Sequence, residues 1–582
     1  MKIHSSPLFS IFTLGLLLTV AVFITYWPSL SVPFYFDDYS SIVSNDAIKD
    51  LSNTQAIWEF AHLRFVTYYS FALNYHWAEL DLFHLHTTNI LLHLVTCFSV
   101  WWLAAMLLPK QGIKAAWVPF IIALLFALHP LNTQPVVYLV QRGVILAALG
   151  FVVALCCYVK LRCAETIPTR GLWLGGVILA SVFAIFSKQN AVVLPAILVL
   201  IEVTFFQKNW RPKGVVASLA FLAAIAAVLA MNLVLTGNPV EFLALDQLLR
   251  ETDLLSRQEY FHAQVSAVWL YIKLFFVPEP LKLHYNYYFY LASSEHQFWL
   301  ASMSHLLLIA FALVMNKRVA VISFAILFYY LTHLVESSAL PIKDVIFEHR
   351  AYLPNMGLCF LVVTVVYWFL QKFEVLKKPA SLLFGCALLL LTYMAFERNQ
   401  LWQDPIAFSK QNVVAEPGSQ TAWNMYAFYL LEQERYEEAL KALENAFKTD
   451  KYGNGSNYFD SEMVSNLLLT YWRLGLYDKA EDLYQKTESH IVDKKLKTGF
   501  LVERANAYVK QGELQTAVDL YAQALELDEE NEAAWVNLGT AHAMAGSYQS
   551  SAQIFEHVLS LNPANQEAIS NLAKLKAMLS NK

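Results

Sequence analysis

The sequence predicts an all-α protein, a bundle of membrane-spanning helices followed by a solenoid of helical repeats. Of its 582 residues, 57% are hydrophobic and only 15% are charged, which is too apolar a mixture for a soluble protein. The charge is also unevenly placed, because 25 of the 46 acidic and 16 of the 41 basic residues follow position 400. We therefore predict a transmembrane domain at 1–400 and a repeat domain at 401–582.

The membrane domain is predicted from apolar stretches that are long enough, or nearly so, to cross a bilayer as helices. The first stretch exceeds a typical signal-peptide core and no small-x-small cleavage pattern follows it, so we expect it to be retained. The run 262–277 has an outside neighbour on each flank, and we expect it to be re-entrant or interfacial. The eleven predicted crossings lie at about 10–28, 87–108, 115–129, 143–159, 171–187, 190–206, 214–236, 298–315, 318–334, 355–371 and 379–396.

Basic residues in alternate loops predict the orientation of the bundle. By the positive-inside rule these loops and the N-terminus are cytoplasmic. The first long loop (about 29–86), the loops 129–142 and 336–352, and everything after 396 are then extracytoplasmic, which is the periplasm if the membrane is a bacterial inner membrane. The basic loop residues are Lys110, Lys114, Lys160, Arg162, Arg170, Lys208, Arg211, Lys213, Lys317, Arg318, Lys372, Lys377 and Lys378.

After Trp402 the pattern becomes a helical repeat of about 34 residues, the period of tetratricopeptide helix pairs. Gly512 and Gly546 occupy the same repeat position, and we expect about four repeats, enough to stack. The concave face of such an array could hold a peptide or protein, or the array could only stabilise and space the molecule. The clearest copy contains Trp535, Leu538, Gly539, Gly546, Phe555 and Pro563.

Two adjacent carboxylates, Asp37 and Asp38, follow the first predicted span among aromatic residues. A low-dielectric position makes it costly to ionise both, so one of them could be tuned as a general base. The alternative is a solvated loop or a helix cap before Ser40 and Ser41.

Few cations are predicted on the outside of the membrane domain, and four of them lie at helix ends. A charge beside hydrocarbon is costly unless it is partnered, so such residues are functional candidates, and together they could bind a phosphate. The alternative is that each pairs with a nearby acid, such as Glu348 with Arg350, or extends to the lipid headgroups. The four are Arg64, Arg142, Lys188 and Arg350.

Histidines are concentrated on the same face, and His86 and His93 share one side of the second span with Asn89. Their spacing does not define a metal site and favours hydrogen bonds between helices. The six cysteines likewise show no metal or disulfide spacing. The aromatic run 283–290 could form an interfacial belt, stack on sugar rings or cover a lipid tail. The histidines are His62, His84, His86, His93, His129, His284, His333 and His349.

Taken in order, these motifs resemble those of C-type glycosyltransferases, and more specifically the transmembrane and tetratricopeptide repeat-containing O-mannosyltransferases and their bacterial relatives. The likeness covers nearly the whole chain and includes the order of the domains. Family members commonly have Glu where this chain has Gln134 and Gln189. The segments that carry the resemblance are 36–38, 74 with 86–93, 126–130 with 141–142, 187–188 and 348–357.

The resemblance implies transfer of a sugar, with inversion, from a polyprenyl-phosphate donor to a hydroxyl, expected on Ser or Thr of a protein delivered through the repeat groove. Asp37 or Asp38 would take the hydroxyl proton, and Arg350, Arg142 and Lys188, with Arg64 as a further candidate, would hold the phosphate. No cofactor, obligatory metal or nucleic-acid partner is expected. The supporting residues are His129, His349, Glu348, Tyr352, His86 and His93.

Three other functions fit parts of the sequence. A membrane scaffold would need only one or two spans. A transporter would show inverted repeats and broken helices near mid-membrane, and apart from 262–277 we find neither. An oligosaccharide ligase or polymerase would use a diphosphate donor and would not need the early Asp pair.

Overall fold

The computed structural model describes residues 7–206, 256–286, 295–338, 342, 345–448, 461–488 and 494–580. All regular secondary structure in these ranges is helical, which confirms the predicted all-α class. The chain divides into two compact units, Met1–Phe408 and Ser409–Lys582. The predicted domain boundary at 400/401 lies eight residues before this division, since Phe408 is the last residue of the first unit.

Fourteen α-helices lie entirely within the first unit, counting only the described residues. They are α1 (Pro7–Tyr26), α2 (Thr54–Phe60), α3 (Phe65–Ala78), α4 (Leu82–Leu107), α5 (Trp117–Leu128), α6 (Thr133–Val137), α7 (Arg142–Cys163), α8 (Ile167–Ile185), α9 (Leu194–Ile201), α10 (Arg257–Phe276), α11 (Glu295–Met315), α12 (Ala320–His333), α13 (Tyr352–Lys372) and α14 (Lys377–Leu401). A further helix, α15 (Pro405–Ala415), runs across the division into the second unit.

Short helical turns join several of these helices. The 3₁₀ turns are Trp27–Ser31, Asp46–Ile48, His62–Arg64, Leu108–Gln111, Pro130–Asn132, Leu139–Gln141, Gln189–Val193, Glu348–Ala351 and Glu374–Leu376. Two π-turns cover Tyr39–Val43 and Glu202–Phe206.

The protein is a multi-pass membrane protein. In the described part of the chain, eight helices are long and apolar enough to cross a bilayer, or nine if the bent pair α5 and α6 forms one span. These helices and the shorter apolar helix α12 coincide with ten of the eleven predicted crossings. The remaining prediction, 214–236, lies outside the described residues. The doubtful run 262–277 coincides with α10, an unbroken helix of 20 residues that ends one residue earlier, at Phe276.

One break was not found from the sequence. The axis turns by 59° between Trp117–Leu128 and Pro130–Val137. Pro130 begins the turn after the break, and its ring nitrogen cannot continue the helical hydrogen-bond ladder. His129 caps this turn, because its side chain accepts a hydrogen bond from the Leu131 N–H at 3.2 Å. The kink sets the direction of the segment that carries Gln134 and Tyr138.

Close helix packing in the bundle depends on small residues. A Cβ added at Gly357 of α13 would lie 2.6 Å from the carbonyl oxygen of Ala325 in α12, and one at Gly150 of α7 would lie 2.9 Å from the carbonyl oxygen of Ala180 in α8. Real Cβ atoms do not approach backbone this closely, so both positions require glycine. In contrast, α11 and α14 bury little of their length, and their exposed Leu and Phe side chains suit contact with lipid.

The second unit continues with helix pairs. Its remaining helices are α16 (Gln420–Glu432), α17 (Tyr436–Lys448), α18 (Ser461–Arg473), α19 (Tyr477–Thr487), α20 (Lys494–Gln511), α21 (Leu514–Leu527), α22 (Glu532–Met544), α23 (Tyr548–Leu561) and α24 (Gln566–Ser580). The turn inside each of the four pairs from α16 to α23 contains one residue with positive φ. Glycine fills three of these positions, at 475, 512 and 546, whereas Glu434 takes φ 56° in the first pair. The first pair therefore lacks the glycine that marks the turn in the other three pairs.

Candidate functional site

The loop that carries the acidic pair is fixed to both the first and the last membrane helix of the first unit. The Tyr35 hydroxyl donates to the carbonyl oxygen of Trp402 at 2.6 Å, and the Tyr35 ring packs against Trp402 and Phe408. Nearby, the Asn399 amide donates to the carbonyl oxygen of Thr25 at 2.8 Å. Trp402 and Asn399 are fully buried, so the end of α14 forms a firm support for this loop.

The two aspartates have different environments. Asp38 is 1% exposed, and its two carboxylate oxygens accept hydrogen bonds from the Tyr35 N–H at 3.0 Å and the Val140 N–H at 2.7 Å. Asp37 is exposed, and its backbone N–H donates to the Tyr138 hydroxyl at 3.0 Å. Asp38 therefore joins two backbone segments, whereas the Asp37 carboxylate can be reached from outside the protein.

Burial raises the pKa of Asp38 to about 8. The two backbone N–H groups and the positive charge of Arg142 lower it, and the neighbouring Asp37 carboxylate raises it. Desolvation exceeds these opposing effects because Asp38 has lost nearly all contact with water. Such a group is protonated over much of the neutral range and is poorly placed to collect a proton.

Arg142, at the start of α7, is completely buried and is held by neutral oxygen atoms of the protein. Its guanidinium also lies over the face of the Phe71 ring at 4.0 Å. The sequence suggested that this residue binds a phosphate, but its donors are already engaged in joining α3 and α4 to α7. The acceptors are Asn89 Oδ1 (2.6 Å), Asn74 Oδ1 (2.6 Å), the Leu85 carbonyl (3.0 Å), the Ser70 carbonyl (3.2 Å) and Ser70 Oγ (3.5 Å).

The other three cations predicted from the sequence interact with one another and with a carboxylate. Lys188 Nζ is 2.9 Å from an oxygen of Glu336, the Arg350 charge also acts on Glu336, and the charges of Arg64 and Arg350 act on Lys188. Arg350 also donates to the Tyr260 hydroxyl and to the carbonyl oxygens of residues 336 and 345. This cation cluster, Arg64, Lys188 and Arg350, carries three positive charges against the one negative charge of Glu336.

The titration of Lys188 and Glu336 reflects this imbalance. Burial lowers the pKa of Lys188, the Glu336 carboxylate raises it, and the Arg64 and Arg350 charges lower it. Burial alone would raise the pKa of Glu336, but the Lys188 and Arg350 charges outweigh burial and hold it below its usual value. An additional anion would relieve the repulsion among the three cations.

Glu348 pairs with Arg398 and not with Arg350. Arg398 Nη2 lies 2.7 Å from Glu348 Oε2, and the Glu348 side chain is 0% exposed and that of Arg398 7%. The other Glu348 oxygen accepts from the Tyr285 hydroxyl and from the backbone N–H of Lys282. Arg398 Nε donates to Thr133 Oγ1 at 3.1 Å. This network joins α14, α6 and the 281–286 segment to the turn that carries His349 and Arg350.

Most of the histidines named from the sequence have structural contacts. His93 bonds to the Tyr352 hydroxyl at 2.6 Å and to the Ala127 carbonyl at 3.1 Å. His86 bonds to the Val32 carbonyl at 2.8 Å. His129 bonds to the Phe275 carbonyl at 2.8 Å and stacks on the Phe275 ring. These contacts agree with the predicted hydrogen bonds between helices.

Within the ranges that the structure describes, no group of three or more His, Cys, Asp or Glu side chains is arranged to hold a metal ion. The expectation that the reaction needs no obligatory metal stays a prediction.

A short series of contacts connects the acidic loop with the cation cluster. The backbone N–H of His349, next to Arg350, donates to Gln134 Oε1 at 2.7 Å. Gln134 lies one helical turn before Tyr138, whose hydroxyl accepts from Asp37. The exposed carboxylate and the three cations are thus joined through the α6 segment.

Comparison with known proteins supports both parts of the chain. The repeat families described as "TPR repeat" and "Tetratricopeptide repeat" match residues 505–546 and 427–489. Protein O-mannosyl-transferase Tmtc3 of Drosophila melanogaster is 23% identical over 624 residues, which cover 90% of this chain and 65% of that protein. Protein O-mannosyl-transferase TMTC3 of Homo sapiens is 22% identical over 575 residues, which cover 88% of this chain and 60% of that protein. Over most of its length the chain is therefore similar to proteins named protein O-mannosyl-transferases.

This homology confirms the resemblance found in the sequence motifs. The same kind of likeness extends to Protein O-mannosyl-transferase F38B6.6 of Caenorhabditis elegans, 22% identical over 66% of this chain and 55% of that protein. The chain spans about 60–65% of the length of the two TMTC3 proteins. Among solved structures, one titled "Crystal structure of YrrB: a TPR protein with an unusual peptide-binding site" aligns with 30% of this chain and 84% of that chain, at 17% identity and a TM-score of 0.24.

Sequence reasoning missed three residues of the site described above. Glu336 and Arg398 are charged residues directly after apolar stretches, and that position was a usable signal. Tyr138 gave no signal, because its importance depends on which residues face it after folding. The sequence drew attention to Gln134 only as a departure from the family, and its contact with His349 is seen in the structure alone.

Proposed function

We propose that this protein is an inverting membrane glycosyltransferase that moves a sugar from a polyprenyl-phosphate donor to a hydroxyl of a Ser or Thr side chain in a protein, on the extracytoplasmic face. One observation carries the proposal: the exposed carboxylate of Asp37 is connected through the α6 segment to a cluster of three cations. The homology to protein O-mannosyl-transferases over 90% of the chain supports the reaction class.

In the proposed reaction Asp37 is the general base. Its carboxylate takes the proton of the acceptor hydroxyl while that oxygen forms a bond to the anomeric carbon of the sugar. The bond from the anomeric carbon to the phosphate oxygen breaks, and its electron pair leaves with the polyprenyl phosphate. A single displacement of this kind inverts the anomeric configuration. Asp38 has a supporting role, because both of its oxygens already accept backbone N–H groups.

The cation cluster would hold the phosphate. Negative charge grows on the phosphate as the sugar departs, so fixed cations stabilise the transition state more than the ground state. Arg64 supplies a half-buried guanidinium, and within the described part of the chain it has no carboxylate partner. Lys188 and Arg350 are held in place by Glu336 and the surrounding oxygens. We leave Arg142 out of this site, since its donors are used inside the bundle.

The proposed sidedness follows from the chemistry of the donor. Nucleotide sugars are confined to the cytoplasm, whereas a lipid-linked sugar can be presented at the outer surface. The repeats would then deliver a polypeptide hydroxyl on that same side. Deletion of the residues after 410 is expected to weaken acceptor binding, and unchanged acceptor binding would count against this part of the proposal.

The first test replaces Asp37 by asparagine in the full chain. The protein is reconstituted in nanodiscs with polyprenyl-phosphate mannose, and a peptide that contains Ser and Thr serves as the acceptor. We expect Asp37→Asn to lower the transfer rate by about 10²–10⁴-fold, the usual contribution of a general base, with an unchanged melting temperature because Asp37 is exposed. Asp46→Asn is the matched control, since Asp46 is an exposed aspartate of the same loop whose partner is Lys49. Transfer by Asp37→Asn at the wild-type rate would refute the assignment of the base.

Mass spectrometry of extracytoplasmic proteins from cells with and without the chain tests the substrate class. Ser or Thr residues that carry a hexose in cells with the chain, and lack it in cells without the chain, would agree with the proposal. Identical glycosylation in both cell types would contradict it.

A further inference from the structure

Three buried nitrogen atoms near the acidic loop have no hydrogen-bond partner within the described part of the chain. They are Gln134 Nε2, His349 Nδ1 and His284 Nε2. The Gln134 side chain is 0% exposed, and its orientation is fixed because its oxygen accepts the His349 N–H at 2.7 Å. Buried polar atoms in folded proteins are nearly always hydrogen bonded, so these nitrogens indicate a place where a ligand with several hydroxyl groups would complete the bonding.

Aromatic rings lie beside these nitrogens. The Phe36 ring is 5.0 Å from the His284 ring, His284 is 5.7 Å from Phe347, and Phe347 is 5.2 Å from His349. Burial lowers the pKa of His284 to about 4, so its imidazole is neutral at neutral pH and offers one donor and one acceptor. A group of flat rings with neutral hydrogen-bonding nitrogens suits a sugar, which has both C–H faces and hydroxyl groups, better than it suits a phosphate.

The backbone directs Phe36 toward this group of rings at some cost. Phe36 has φ 42°, a left-handed conformation that bulky residues rarely adopt. Strain of this kind tends to occur at functional sites, where it aims a side chain. The same residue directly precedes Asp37, so the strained turn positions the aromatic ring and the proposed base together.

We infer that Gln134, His349, His284, Phe36 and Phe347 form the subsite for the sugar of the donor, between the proposed base and the cation cluster. This inference rests on the proposed function and adds to it the residues that recognise the sugar. The Gln134 amide and the His349 ring bond to sugar hydroxyls, and the Phe36 ring packs on a C–H face of the sugar. The cation cluster takes the phosphate, so recognition of the two parts of the donor is divided between two groups of residues.

Gln134→Met separates these two recognition tasks. The substitution keeps the length of the side chain and adds no charge near the cation cluster, but it removes the amide donor proposed for the sugar, together with the oxygen that accepts the His349 N–H. Phe36→Leu is the second variant, which removes the ring while keeping an apolar side chain. Gln111→Met is the matched control, since Gln111 lies in the turn after α4, outside the subsite.

The experiment measures the affinity of the full chain in nanodiscs for two probes, polyprenyl phosphate without a sugar and polyprenyl-phosphate mannose. For Gln134→Met we expect the affinity for the mannose-linked lipid to fall about tenfold, the effect of losing roughly one good hydrogen bond, while the affinity for the bare lipid phosphate stays within about twofold. Phe36→Leu should show the same selective loss, and Gln111→Met should bind both probes like the wild type.

The outcomes separate the two levels of the proposal. If Gln134→Met and Phe36→Leu weaken the binding of both probes equally, or of neither, the sugar subsite is wrong while the donor site stands. If the wild-type protein binds neither probe, the proposed function itself fails, whatever the variants do. A melting temperature measured for each variant identifies one that has lost its fold, and in that case the other variant decides.

Discussion

The buried pair of Glu348 and Arg398 allows a quantitative test of how the turn at 348–351 is held. Glu348→Gln keeps a side-chain oxygen for the Tyr285 hydroxyl and the Lys282 N–H, but it leaves the Arg398 charge without its partner. Arg398→Met leaves the Glu348 carboxylate without its partner. Removing one member of a buried ion pair costs about 3–5 kcal/mol, because an uncompensated charge stays out of water.

The double variant Glu348→Gln with Arg398→Met removes both charges at once. Replacing a buried pair by neutral groups is often nearly neutral, so we expect the double variant to be destabilised by less than the sum of the two single variants. The free energy of unfolding would be measured by denaturant titration of the full chain in mixed micelles. Because the double variant should cost less than either single variant, the coupling energy across this 2.7 Å contact should be at least about 3 kcal/mol, the upper end for residues in direct contact.

Additive effects of the two substitutions, or single variants within about 0.5 kcal/mol of the wild type as for ordinary surface sites, would refute this reasoning. Either result would mean that the pair does not fix the turn, and the positions of His349 and Arg350 would then need another explanation. Lys377→Met is a suitable control, because Lys377 pairs with Glu374 at an exposed helix end and such pairs contribute little.

Three further predictions follow from the packing and burial of single residues. Asp38, with a folded-state pKa of about 8, binds more protons in the folded than in the unfolded state above about pH 4. The stabilising contribution of Asp38 is therefore fully present below that pH and is lost as the pH rises to about 8, by up to ~1.4 kcal/mol per pH unit. The melting temperature of Asp38→Asn should not show this decline with pH. Parallel curves of melting temperature against pH for the wild type and the variant would contradict the prediction. Gly357→Ala should destabilise the bundle by about 1–3 kcal/mol through overpacking against the Ala325 carbonyl. The control Gly385→Ala should not destabilise it, because a Cβ there meets nothing within 4 Å. Equal denaturation midpoints for the two variants would show that the helices at Gly357 can move apart freely. Arg142→Gln should lower the free energy of unfolding by about 3 kcal/mol or more, since several charge-assisted hydrogen bonds are lost. It should not change the affinity of the folded protein for polyprenyl phosphate. A selective loss of that affinity would assign Arg142 to the phosphate site again.

The architecture could be predicted from the sequence because it depends on local patterns. Apolar length and the 34-residue period are properties of neighbouring residues, and both appear in the helices found. The break at His129 and Pro130 was missed because a proline near the end of an apolar stretch is also compatible with a simple helix end. Glu434 was missed as a turn residue because its positive φ is imposed by the helix pair around it.

The candidate site could be predicted in residue type but not in pairing. The sequence identified Asp37, Arg64, Lys188 and Arg350, since charges beside apolar stretches are conspicuous. It could not distinguish Asp37 from Asp38, because only the folded chain buries Asp38 and brings two backbone N–H groups to its carboxylate.

The other assignments of partners also required the folded chain. The sequence suggested Arg350 as the partner of Glu348, but the actual partner is Arg398, fifty positions away. Nothing along the chain records which acceptors surround Arg142, because they come from two other helices. Residue chemistry is therefore readable in advance, whereas the identity of each partner is a tertiary property.

The bond from Tyr35 to Trp402 joins positions separated by 367 residues. During synthesis Tyr35 emerges early and Trp402 only after the last membrane helix has been made, so the acidic segment must wait for most of the first unit before it can settle. The nascent chain would therefore lack the final conformation of its acidic segment until the bundle is complete. A truncated polypeptide that ends before residue 402 cannot form the bond from Tyr35 to Trp402 and would not reach this conformation.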